Sequence, residues 1–429
     1  MAYFPMFVSL ENKKCIIIGG GKVAKRKADT LLSYGADVTV IAPEIKYGFE
    51  GCSVIKRKVN DDDIKNCFMV IAAADSREVN ERTAMLCCER GIHINRADSG
   101  EGSSFIFGAS FKRDNMTIAV NSGENDPAKS KEVKNKIMNY IDNNTIRIGT
   151  RKSRLAKIQT DIVVNAIKNA DSGIICEVVE LSTEGDENLN KNLRDFGGKG
   201  AFTGTFERAL AEGKIDIAVH SGKDLPIELG EGLEIIATPK REAANDVLVT
   251  MRGKKLDENS VIGTGSERRK LQTAYKTKSI RGNVETRLMK MEKGEYDGVI
   301  LAYAGLKRLG LDNVEKYDYK IYKTDEMYPA PCQGIIAVEG RKDCKFRKLI
   351  ENINDKNTYI SFLAERKIVT EADMGCNFPV GIYSFVEGDK IHLNVMYLGE
   401  NRKYFEKVTE KENAEKAAKE LALEIKRFL

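Results

Sequence analysis

Short apolar runs alternate with amphipathic stretches in the first third of the chain. Cys15 to Ile18 is an apolar run of strand length, Val23 to Leu32 has helical spacing, and Val38 to Ile41 is a second apolar run. This order predicts a strand–helix–strand unit whose helix ends before Gly35. The alternation continues through apolar runs and helical stretches at 69–74, 80–90, 92–95, 116–120 and 129–141. The first segment is therefore predicted to be an α/β domain.

A polar stretch at 142–144 separates this segment from a second one with a similar pattern. A strand followed by a helix is predicted from Ile146. Apolar runs then alternate with helical stretches, and these runs lie at 177–181, 215–219, 247–249 and 298–302. Alternation of this kind predicts open parallel or mixed sheets.

The last segment has a different order. A helical stretch at 359–371 is followed by two apolar runs of strand length, at 382–387 and 391–397. A Lys/Glu-rich amphipathic stretch then runs from Glu412 to the last residue. This order predicts a small α+β domain.

Length and composition narrow the class of protein. A chain of 429 residues is expected to form two to four domains. Its 42% hydrophobic and 31% charged residues are typical of folded proteins and exclude a disordered or collagen-like chain. Lys and Arg number 69 against 64 Asp and Glu, so the basic excess of a nucleic-acid binder is missing and no nucleic-acid partner is expected. No apolar run approaches the ~18 residues of a membrane span, so no membrane association is expected.

Cysteines and histidines exclude several kinds of site. The nine cysteines are odd in number, widely scattered and without a Cys-x-x-Cys pair, which fits neither a disulfide framework nor a zinc site. Three histidines are too few for a multi-histidine centre, so no metal is expected. Reduced cysteines and the lack of a signal-peptide pattern predict a cytoplasmic protein.

A glycine-rich turn follows the first predicted strand. Residues Gly19 to Ala24 match G-x-G-x-x-A and open the first helix, where backbone N–H groups and the positive helix end bind a pyrophosphate. An acid that binds the ribose is expected at the end of the second strand, and here Glu44 follows that end by one position. Glu44 favours NAD as the cofactor, but NADP is not excluded. The predicted nucleotide-binding residues are Gly20, Gly21, Lys22, Val23, Pro43 and Glu44. The alternative is a glycine-rich turn in a nucleotide-free domain.

This segment resembles the precorrin-2 dehydrogenase family, the N-terminal part of siroheme synthases. The residues that carry the resemblance are Phe7, the triple glycine, Val23-Ala24 with Arg26-Lys27, Ala72-Ala73, and Asn95 to Asp98. The resemblance implies a Rossmann-like NAD-binding domain at 1–143 that oxidises precorrin-2 to sirohydrochlorin. It also implies that Asp98 is the acid/base residue and that Ser122 lines the tetrapyrrole cleft. From its position alone, Asp98 would more simply be a loop or helix-cap acid.

Two features of this segment depart from the family. Asn125-Asp126-Pro127 replaces a Thr-Ser-Pro stretch, and the helical domain that normally follows is missing. An alternative is therefore that residues 1–143 form a non-catalytic module that binds NAD or makes a homodimer.

Basic residues cluster with Gly, Ser and Thr after the strands of the second segment. Four such clusters begin at Arg151, His220, Gly263 and Arg281. Because the carboxyl ends of strands in open α/β sheets converge on one crevice, these groups are predicted to face one site. So much positive charge in a nearly neutral protein predicts a substrate with several carboxylates or phosphates. Asp224, beside Lys223, is the one conspicuous acid in these clusters.

The second segment is similar throughout to the porphobilinogen deaminase family, also called hydroxymethylbilane synthase. The resemblance implies two lobes like those of periplasmic binding proteins, at 145–238 plus 334–352 and at 243–330, and a small α+β domain at 356–429. The chain is expected to cross between the lobes near Pro239 and near Gln333. Cys376 is implied to hold a dipyrromethane cofactor through a thioether. Considered alone, Cys376 would be a buried structural thiol.

The same resemblance implies the reaction. Four porphobilinogens lose ammonia and join head to tail on the dipyrromethane, and water then releases hydroxymethylbilane. Asp224 is the candidate for the acid, base and cation-stabilising roles. The residues implied to hold the cofactor are Ser221, Lys223, Thr264, Ser266, Arg268 and Arg269. Those implied to contact substrate and the growing chain are Arg151, Ser153, Gln159, Phe202, Arg281, Arg287, Arg308 and Gln333.

Three hypotheses follow from these patterns. The favoured one is a fusion of two enzymes of tetrapyrrole biosynthesis that act on small molecules. The second keeps the deaminase and makes the N-terminal segment a non-catalytic module. The third is a two-lobed binding protein without catalysis. Four positions depart from the deaminase family, Asp195 for Lys, Gly222 for Met, Gly265 for Ser and Glu267 for Leu, and none removes a charged group implied to be essential.

Overall fold

The chain divides into two units, Met1–Asn143 and Asn144–Leu429, which are treated separately below. The computed structural model describes residues 4–113, 116–122, 126–182, 204–374 and 378–429. Among these residues, no helix combines the length and the apolar character needed to cross a bilayer.

The first unit is built on a five-stranded parallel sheet. Its strands are β1 (Lys14–Ile18), β2 (Asp37–Ile41), β3 (Ser53–Ile55), β4 (Met69–Ala72) and β5 (His93–Arg96), and its helices are α1 (Lys22–Leu32) and α2 (Arg77–Glu89). The order in the sheet is β3-β2-β1-β4-β5. Alternate residues of β1 enter separate cores, Cys15 and Ile17 beside α1 and Ile16 and Ile18 beside α2. A parallel sheet buried on both faces, with its order reversing at β1, confirms the predicted Rossmann-like fold.

A β-hairpin and a long helix follow this sheet. Strand β6 (Ala109–Arg113) pairs antiparallel with β7 (Met116–Val120), and α3 (Pro127–Asn144) comes next. The Asp126 carboxylate accepts from the backbone N–H groups of Ala128 and Lys129 at 2.9 and 3.0 Å. Pro127 occupies the first turn, where no N–H is needed. The local sequence therefore determines where α3 begins.

The second unit opens with a mixed five-stranded sheet. Its strands are β8 (Thr145–Arg151), β9 (Ile175–Leu181), β10 (Ile217–Ser221), β11 (Leu233–Ala237) and β17 (Ile336–Arg341), in the order β11-β17-β10-β8-β9. The accompanying helices are α4 (Arg154–Ala170), α5 (Gly204–Ala211) and α9 (Arg347–Glu351). Strands β8, β9 and β10 are parallel, whereas β17 lies antiparallel between β10 and β11.

Between β11 and β17 the chain builds a second mixed sheet. Its strands are β12 (Asp246–Met251), β13 (Val261–Gly263), β14 (Lys276–Lys278), β15 (Gly298–Ala302) and β16 (Tyr317–Ile321), in the order β14-β13-β15-β12-β16. Its helices are α6 (Glu267–Lys270), α7 (Val284–Glu292) and α8 (Tyr303–Leu309). The chain thus forms two α/β lobes joined by two crossovers, residues 238–245 and 322–335.

The third part of this unit is a small α+β domain, as predicted. Helix α10 (Lys356–Glu371) precedes an antiparallel meander of β18 (Val380–Glu387), β19 (Lys390–Tyr397) and β20 (Lys403–Glu410), and α11 (Ala414–Phe428) follows. Ile382, Leu393 and Phe405 from the sheet pack against Leu421 and Ile425 of α11.

A buried carboxylate joins the third domain to both crossovers. Glu365 of α10 is 0% exposed, and its Oε1 lies 2.7 Å from Nη1 of Arg241 in the first crossover. The backbone N–H of Cys332, in the second crossover, donates to the same carboxylate. So do the backbone N–H and the hydroxyl of Ser384 in β18, at 2.8 and 2.9 Å. Because a buried charge needs full pairing, this junction fixes the two crossovers against the third domain.

Candidate active sites

The first lobe places predicted groups at the end of β8 and on the helix that follows. Arg151, the last residue of β8, is half-buried. Ser153 caps α4, its hydroxyl accepting from the Ala156 N–H at 3.3 Å. Gln159 of α4 is buried, and its side-chain amide pairs with the Ser221 hydroxyl at 2.9 and 3.1 Å. The structure therefore brings Gln159 and Ser221 together at the carboxyl end of β10.

Strand β10 leads into a 3₁₀ turn, Gly222–Asp224, that carries Lys223 and Asp224. Both side chains are exposed to solvent. Desolvation of the Lys223 ammonium lowers its pKa to about 8. The Asp224 carboxylate favours the charged amine, whereas the Arg269 guanidinium disfavours it. This turn of the first lobe therefore shares one electrostatic environment with the arginines of the second lobe.

In the second lobe, a buried carboxylate holds two residues predicted to bind the cofactor. Asp246, the first residue of β12, is 0% exposed, with Oδ2 2.7 Å from Arg268 Nη1 and Oδ1 2.8 Å from Arg269 Nη2. Arg269 Nη1 also donates to the Ile300 carbonyl at 2.9 Å. Arg268 donates to the Tyr328 carbonyl, while its buried Nε has no hydrogen-bond partner. Burial opposes ionisation of Asp246, but the two guanidiniums outweigh it and hold the pKa of this carboxyl well below its usual range.

The turn between β13 and α6 carries the predicted hydroxyl groups. Thr264 is fully buried, and its hydroxyl accepts from the Ser266 N–H at 3.2 Å. Ser266 stands at the N-cap of α6 without a side-chain capping bond, so its hydroxyl is not used by the helix. Glu267, one of the departures from the family, pairs with Lys270 at 3.0 Å. Its negative charge is thereby balanced within α6.

Two further predicted arginines lie at the start of α7. Arg287 is half-buried, and its Nε donates to the Gly282 carbonyl at 2.8 Å. Desolvation lowers its pKa to about 10, Arg269 and Arg281 act in the same direction, and Asp224 opposes them. Arg281 is exposed. These mutual effects indicate that Arg269, Arg281 and Asp224 lie close enough to Arg287 for their charges to influence it.

Gln333 and Arg308 lie at the second crossover. Gln333 is fully buried, and its Nε2 donates to the Ala244 carbonyl at 2.6 Å and to Asp246 Oδ1 at 2.9 Å. Arg308 of α8 donates to the Gly334 carbonyl at 2.7 Å, and burial lowers its pKa. Gln333 thus joins the Asp246 network, and Arg308 contacts the backbone of the crossover.

Two predicted residues, Phe202 and Cys376, lie outside the described residues. On either side of Cys376, Met374 is buried and Phe378 is half-buried, and both belong to the core of the third domain.

The glycine loop of the first unit is sterically constrained. Gly19 has φ +132°, and a Cβ there would lie 2.1 Å from the Ala73 carbonyl oxygen. A Cβ on Gly20 would lie 2.1 Å from the Glu44 carbonyl oxygen. Gly21, at the N-cap of α1, has open space instead. Tight packing behind the loop and free space in front of the helix N-terminus are what pyrophosphate binding requires.

The other predicted nucleotide residues surround this open side. Lys22 and Val23 are exposed in the first turn of α1. Pro43 is exposed after β2. The Glu44 side chain is 76% exposed, and its Oε2 lies 3.9 Å from Lys46 Nζ. All four side chains are therefore accessible to a nucleotide.

The predicted acid/base residue of the first unit is already paired. The Arg96 guanidinium binds both carboxylate oxygens of Asp98, Nε to Oδ1 at 3.2 Å and Nη2 to Oδ2 at 3.0 Å. This pairing, assisted by Asn80, holds the pKa of Asp98 below its usual value. The arrangement favours a carboxylate that stays ionised and stabilises nearby positive charge.

Ser122 is tied to the start of α3. Its hydroxyl donates to the Asp126 carbonyl at 3.1 Å, and its backbone N–H donates to the Ser130 hydroxyl at 3.0 Å. The hydroxyl predicted to line the tetrapyrrole cleft thus has a structural partner.

Sequence reasoning missed the partners of these residues, chiefly Asp246 and Arg96. The sequence does contain a sign of the role of Asp246. This aspartate directly precedes the apolar run Val247–Val249, and a buried strand there requires that its carboxylate be paired with cationic side chains. A second missed pair lies behind the 3₁₀ turn, where His220 Nε2 is 2.9 Å from Glu339 Oε2 and both side chains are buried.

Three family models match the chain. Residues 146–348 match "Porphobilinogen deaminase, dipyromethane cofactor binding domain", and residues 359–427 match "Porphobilinogen deaminase, C-terminal domain". Residues 6–109 match "Putative NAD(P)-binding".

Curated relatives are similar to the second unit over nearly their whole length. The porphobilinogen deaminase of Acetivibrio thermocellus is 42% identical over 288 residues, which cover 65% of this chain and 97% of the relative. That of Alkaliphilus oremlandii is 38% identical over 291 residues, which cover 66% of this chain and 96% of the relative.

Solved structures resemble parts of the chain at low identity. SirC, a precorrin-2 dehydrogenase, has a TM-score of 0.29 at 18% identity and covers 44% of this chain and 87% of its own. The methionine-binding protein MetQ has a TM-score of 0.33 at 11% identity and covers 51% of this chain and 94% of its own.

Proposed function

We propose the function of this chain from its family, since the chain belongs to the porphobilinogen deaminase family. Its second unit joins four porphobilinogens into hydroxymethylbilane and releases four ammonia molecules, with one water consumed at the end. The observation that supports this proposal is that the charges of Lys223 and Asp224 in one lobe interact with those of Arg269 and Arg287 in the other.

The cleft suits a substrate with many carboxylates. Porphobilinogen carries an acetate and a propionate, so a chain of several units accumulates negative charge. Arginine binds carboxylates with two parallel hydrogen bonds, and Arg281, Arg287 and Lys223 stand where such groups can enter. Asp224 is the acid among them.

The chain contains a dipyrromethane cofactor-binding domain. Hydrogen-bond donors of this domain suit the carboxylates of a dipyrromethane. Arg268 is buried with its Nε unpartnered, and the Ser266 hydroxyl is not used as a helix cap. Both can bind a carboxylate, as can Lys223. With Cys376 as its attachment point through a thioether, a dipyrromethane held by these donors would supply the pyrrole carbon to which the first substrate is joined.

The residues of the cleft provide the remaining chemistry. The protonated amino group of porphobilinogen leaves as ammonia, and the methylene carbon that carried it becomes cationic. The Asp224 carboxylate stabilises this positive charge and then takes up the proton that the pyrrole carbon loses when the new bond forms. Lys223 and Arg287 hold the flanking carboxylates, so that each unit enters in one orientation.

Asp224→Asn tests this assignment. The variant should fold and carry the cofactor but lose nearly all turnover, because the amide has no charge with which to stabilise the cation. The matched control is Asp297→Asn, which removes a lobe-two carboxylate paired with Lys254 at 2.8 Å. Activity of Asp224→Asn within about tenfold of the wild type, or ~1.4 kcal/mol of barrier, would contradict the role.

The domain limits within the second unit are part of the proposal. We assign lobe one to 145–238 plus 334–352, lobe two to 243–330, and the cofactor-attachment domain to 356–429. The insertion of β17 between β10 and β11 supports the return of the chain to lobe one.

For the first unit we propose an NAD-dependent precorrin-2 dehydrogenase. The match to an NAD(P)-binding family and the open helix N-terminus at Gly21 support nucleotide binding. Glu44 beside the loop favours NAD, because an acid there binds a free ribose hydroxyl and repels a 2′-phosphate. Asp98 would stabilise positive charge on the tetrapyrrole during hydride transfer.

We also propose a cytoplasmic location. The eight free thiols among the described residues are in keeping with it.

The alternative is an NAD-binding or dimerising module without catalysis. It is favoured by Asp98 and Ser122, whose polar atoms already have partners. The full chain should be incubated with precorrin-2 and NAD, with Asp98→Asn as the variant. Sirohydrochlorin formation that is lost in Asp98→Asn supports the dehydrogenase. NAD binding without turnover supports the module.

A further inference from the structure

The two buried arginines of the cleft are oriented by one carboxylate. Asp246 Oδ1 accepts from Arg269 at Nε and Nη2, at 3.1 and 2.8 Å, and Oδ2 faces Arg268 Nη1 at 2.7 Å. All three residues are more than nine-tenths buried. Long guanidinium side chains have many rotamers, and pairing with this carboxylate reduces the number that each arginine can adopt.

The network has an excess of positive charge. Arg268 and Arg269 share the single buried carboxylate of Asp246. Arg268 Nε remains buried without a hydrogen-bond partner. The cluster is therefore built to receive an anion from outside the protein.

Asp246 is also connected to the second crossover. Gln333 donates from Nε2 to Asp246 Oδ1 at 2.9 Å and to the Ala244 carbonyl at 2.6 Å. The backbone carbonyl of Gln333 in turn accepts a hydrogen bond from Arg241 Nε at 2.9 Å. One chain of hydrogen bonds therefore runs from the junction at Glu365, through both crossovers, to the arginines of the cleft.

We propose that Asp246 is a positioning residue that aims Arg268 and Arg269 at the carboxylates of the bound cofactor and growing chain. The inference rests on the proposed function for the identity of those carboxylates. Asp246 touches neither substrate nor cofactor. It acts through the two guanidiniums, and Gln333 transmits the position of the crossover to them.

Two variants separate the charge of Asp246 from its position. Asp246→Asn keeps the shape and removes the charge, whereas Asp246→Glu keeps the charge and moves the carboxylate by one methylene. Asp297→Asn is the control, since this aspartate of the same lobe accepts from the Val261 N–H at 2.8 Å outside the network. For each full-length protein, we would measure the fraction that carries the cofactor mass, the KM for porphobilinogen and the unfolding temperature.

If Asp246 positions the two arginines, the two variants should be alike in their weaker binding of cofactor and substrate but should differ in stability. Both Asp246 variants should lose cofactor occupancy or raise the KM by about tenfold or more, the effect of losing one charge-assisted hydrogen bond. Only Asp246→Asn should unfold at a markedly lower temperature. The proposal would be overturned if Asp246→Glu folds, carries full cofactor and has the wild-type KM. That result would show that Asp246 serves only as a counter-ion, because a counter-ion still works when its carboxylate is moved by one methylene. If Asp246→Asn does not fold, the Glu variant decides alone.

Failure of the proposed function has a different signature. A wild-type protein without cofactor mass and without turnover would contradict the function and leave the cleft free for an added probe. Citrate, a tricarboxylate, would then be titrated calorimetrically. About tenfold weaker citrate binding by both Asp246 variants would still support the positioning role. Equal affinities for citrate would overturn it.

Discussion

The junction at Glu365 makes a strong prediction about how the third domain is attached. Replacing Glu365 by Gln keeps the size of the side chain and removes its charge. One amide oxygen can still accept from Ser384. The new NH₂ group, however, faces the Cys332 N–H and the Arg241 guanidinium, which are both donors.

The size of the effect follows from these contacts. The Arg241 guanidinium becomes a buried charge without a counter-ion, and breaking one side of a buried ion pair costs about 3–5 kcal/mol. Because each ~1.4 kcal/mol corresponds to a factor of ten, local opening of the junction should become roughly a hundred to several thousand times more frequent.

Amide hydrogen exchange measures this opening directly. The N–H groups of Cys332 and Ser384 both donate to Glu365, so peptides that contain them should lose protection in Glu365→Gln. Peptides from β4 in the first unit provide the internal reference. Glu371→Gln is the matched control, because Glu371 ends the same helix and its carboxylate pairs with Lys367 at 2.8 Å. Unchanged protection at Cys332 and Ser384 in Glu365→Gln would refute the reasoning.

Three further predictions concern the two sites. Because the pKa of Lys223 is about 8, its positive charge is lost as the pH rises from about 7 to 9, and the KM for porphobilinogen should rise over that range. Lys223→Arg should flatten this dependence, since guanidinium stays charged, and an unaltered pH profile would contradict the assignment. Gly20→Ala should abolish NAD binding measured by calorimetry, because its Cβ overlaps the Glu44 carbonyl, whereas Gly21→Ala meets no atom within 4 Å and should leave the fold of the loop intact. Equal NAD affinity of Gly20→Ala and wild type would count against the loop as the nucleotide site. Arg281→Leu should raise the KM for porphobilinogen at least about tenfold with little change in kcat, and an unchanged KM would show that Arg281 does not bind substrate carboxylates.

Periodicity predicted the classes of the domains because buried strands and amphipathic helices leave regular apolar patterns. Strands such as β1 and β12 have apolar centres, Cys15–Ile18 and Val247–Val249, since helices or loops cover both faces of their sheets. Strands β14 and β16 escaped prediction. They contain Lys-Thr-Lys and Tyr-Asp-Tyr-Lys-Ile and lie at the two edges of their sheet, where one side meets water.

Other features depend on contacts between distant parts of the chain. The antiparallel position of β17 between β10 and β11 brings together strands separated by about a hundred residues, and local patterns do not encode such pairing. Local signals did predict where Lys223 and Arg287 stand, because strand ends and helix starts are marked by Gly, Ser and Asn. The partner of each side chain was not predictable in this way. Asp246 binds Arg268 and Arg269 because burial leaves these charges no alternative. Arg96 is buried as well, and it binds the more exposed Asp98 two residues along the chain.

The intact mass of the purified full-length protein, with a peptide map of the modified site, shows whether the second unit carries its cofactor. We expect a mass excess of two linked pyrroles located on Cys376, together with conversion of porphobilinogen to hydroxymethylbilane. The unmodified mass, persisting after incubation with porphobilinogen or preformed hydroxymethylbilane, would contradict the claim that the second unit is a working deaminase.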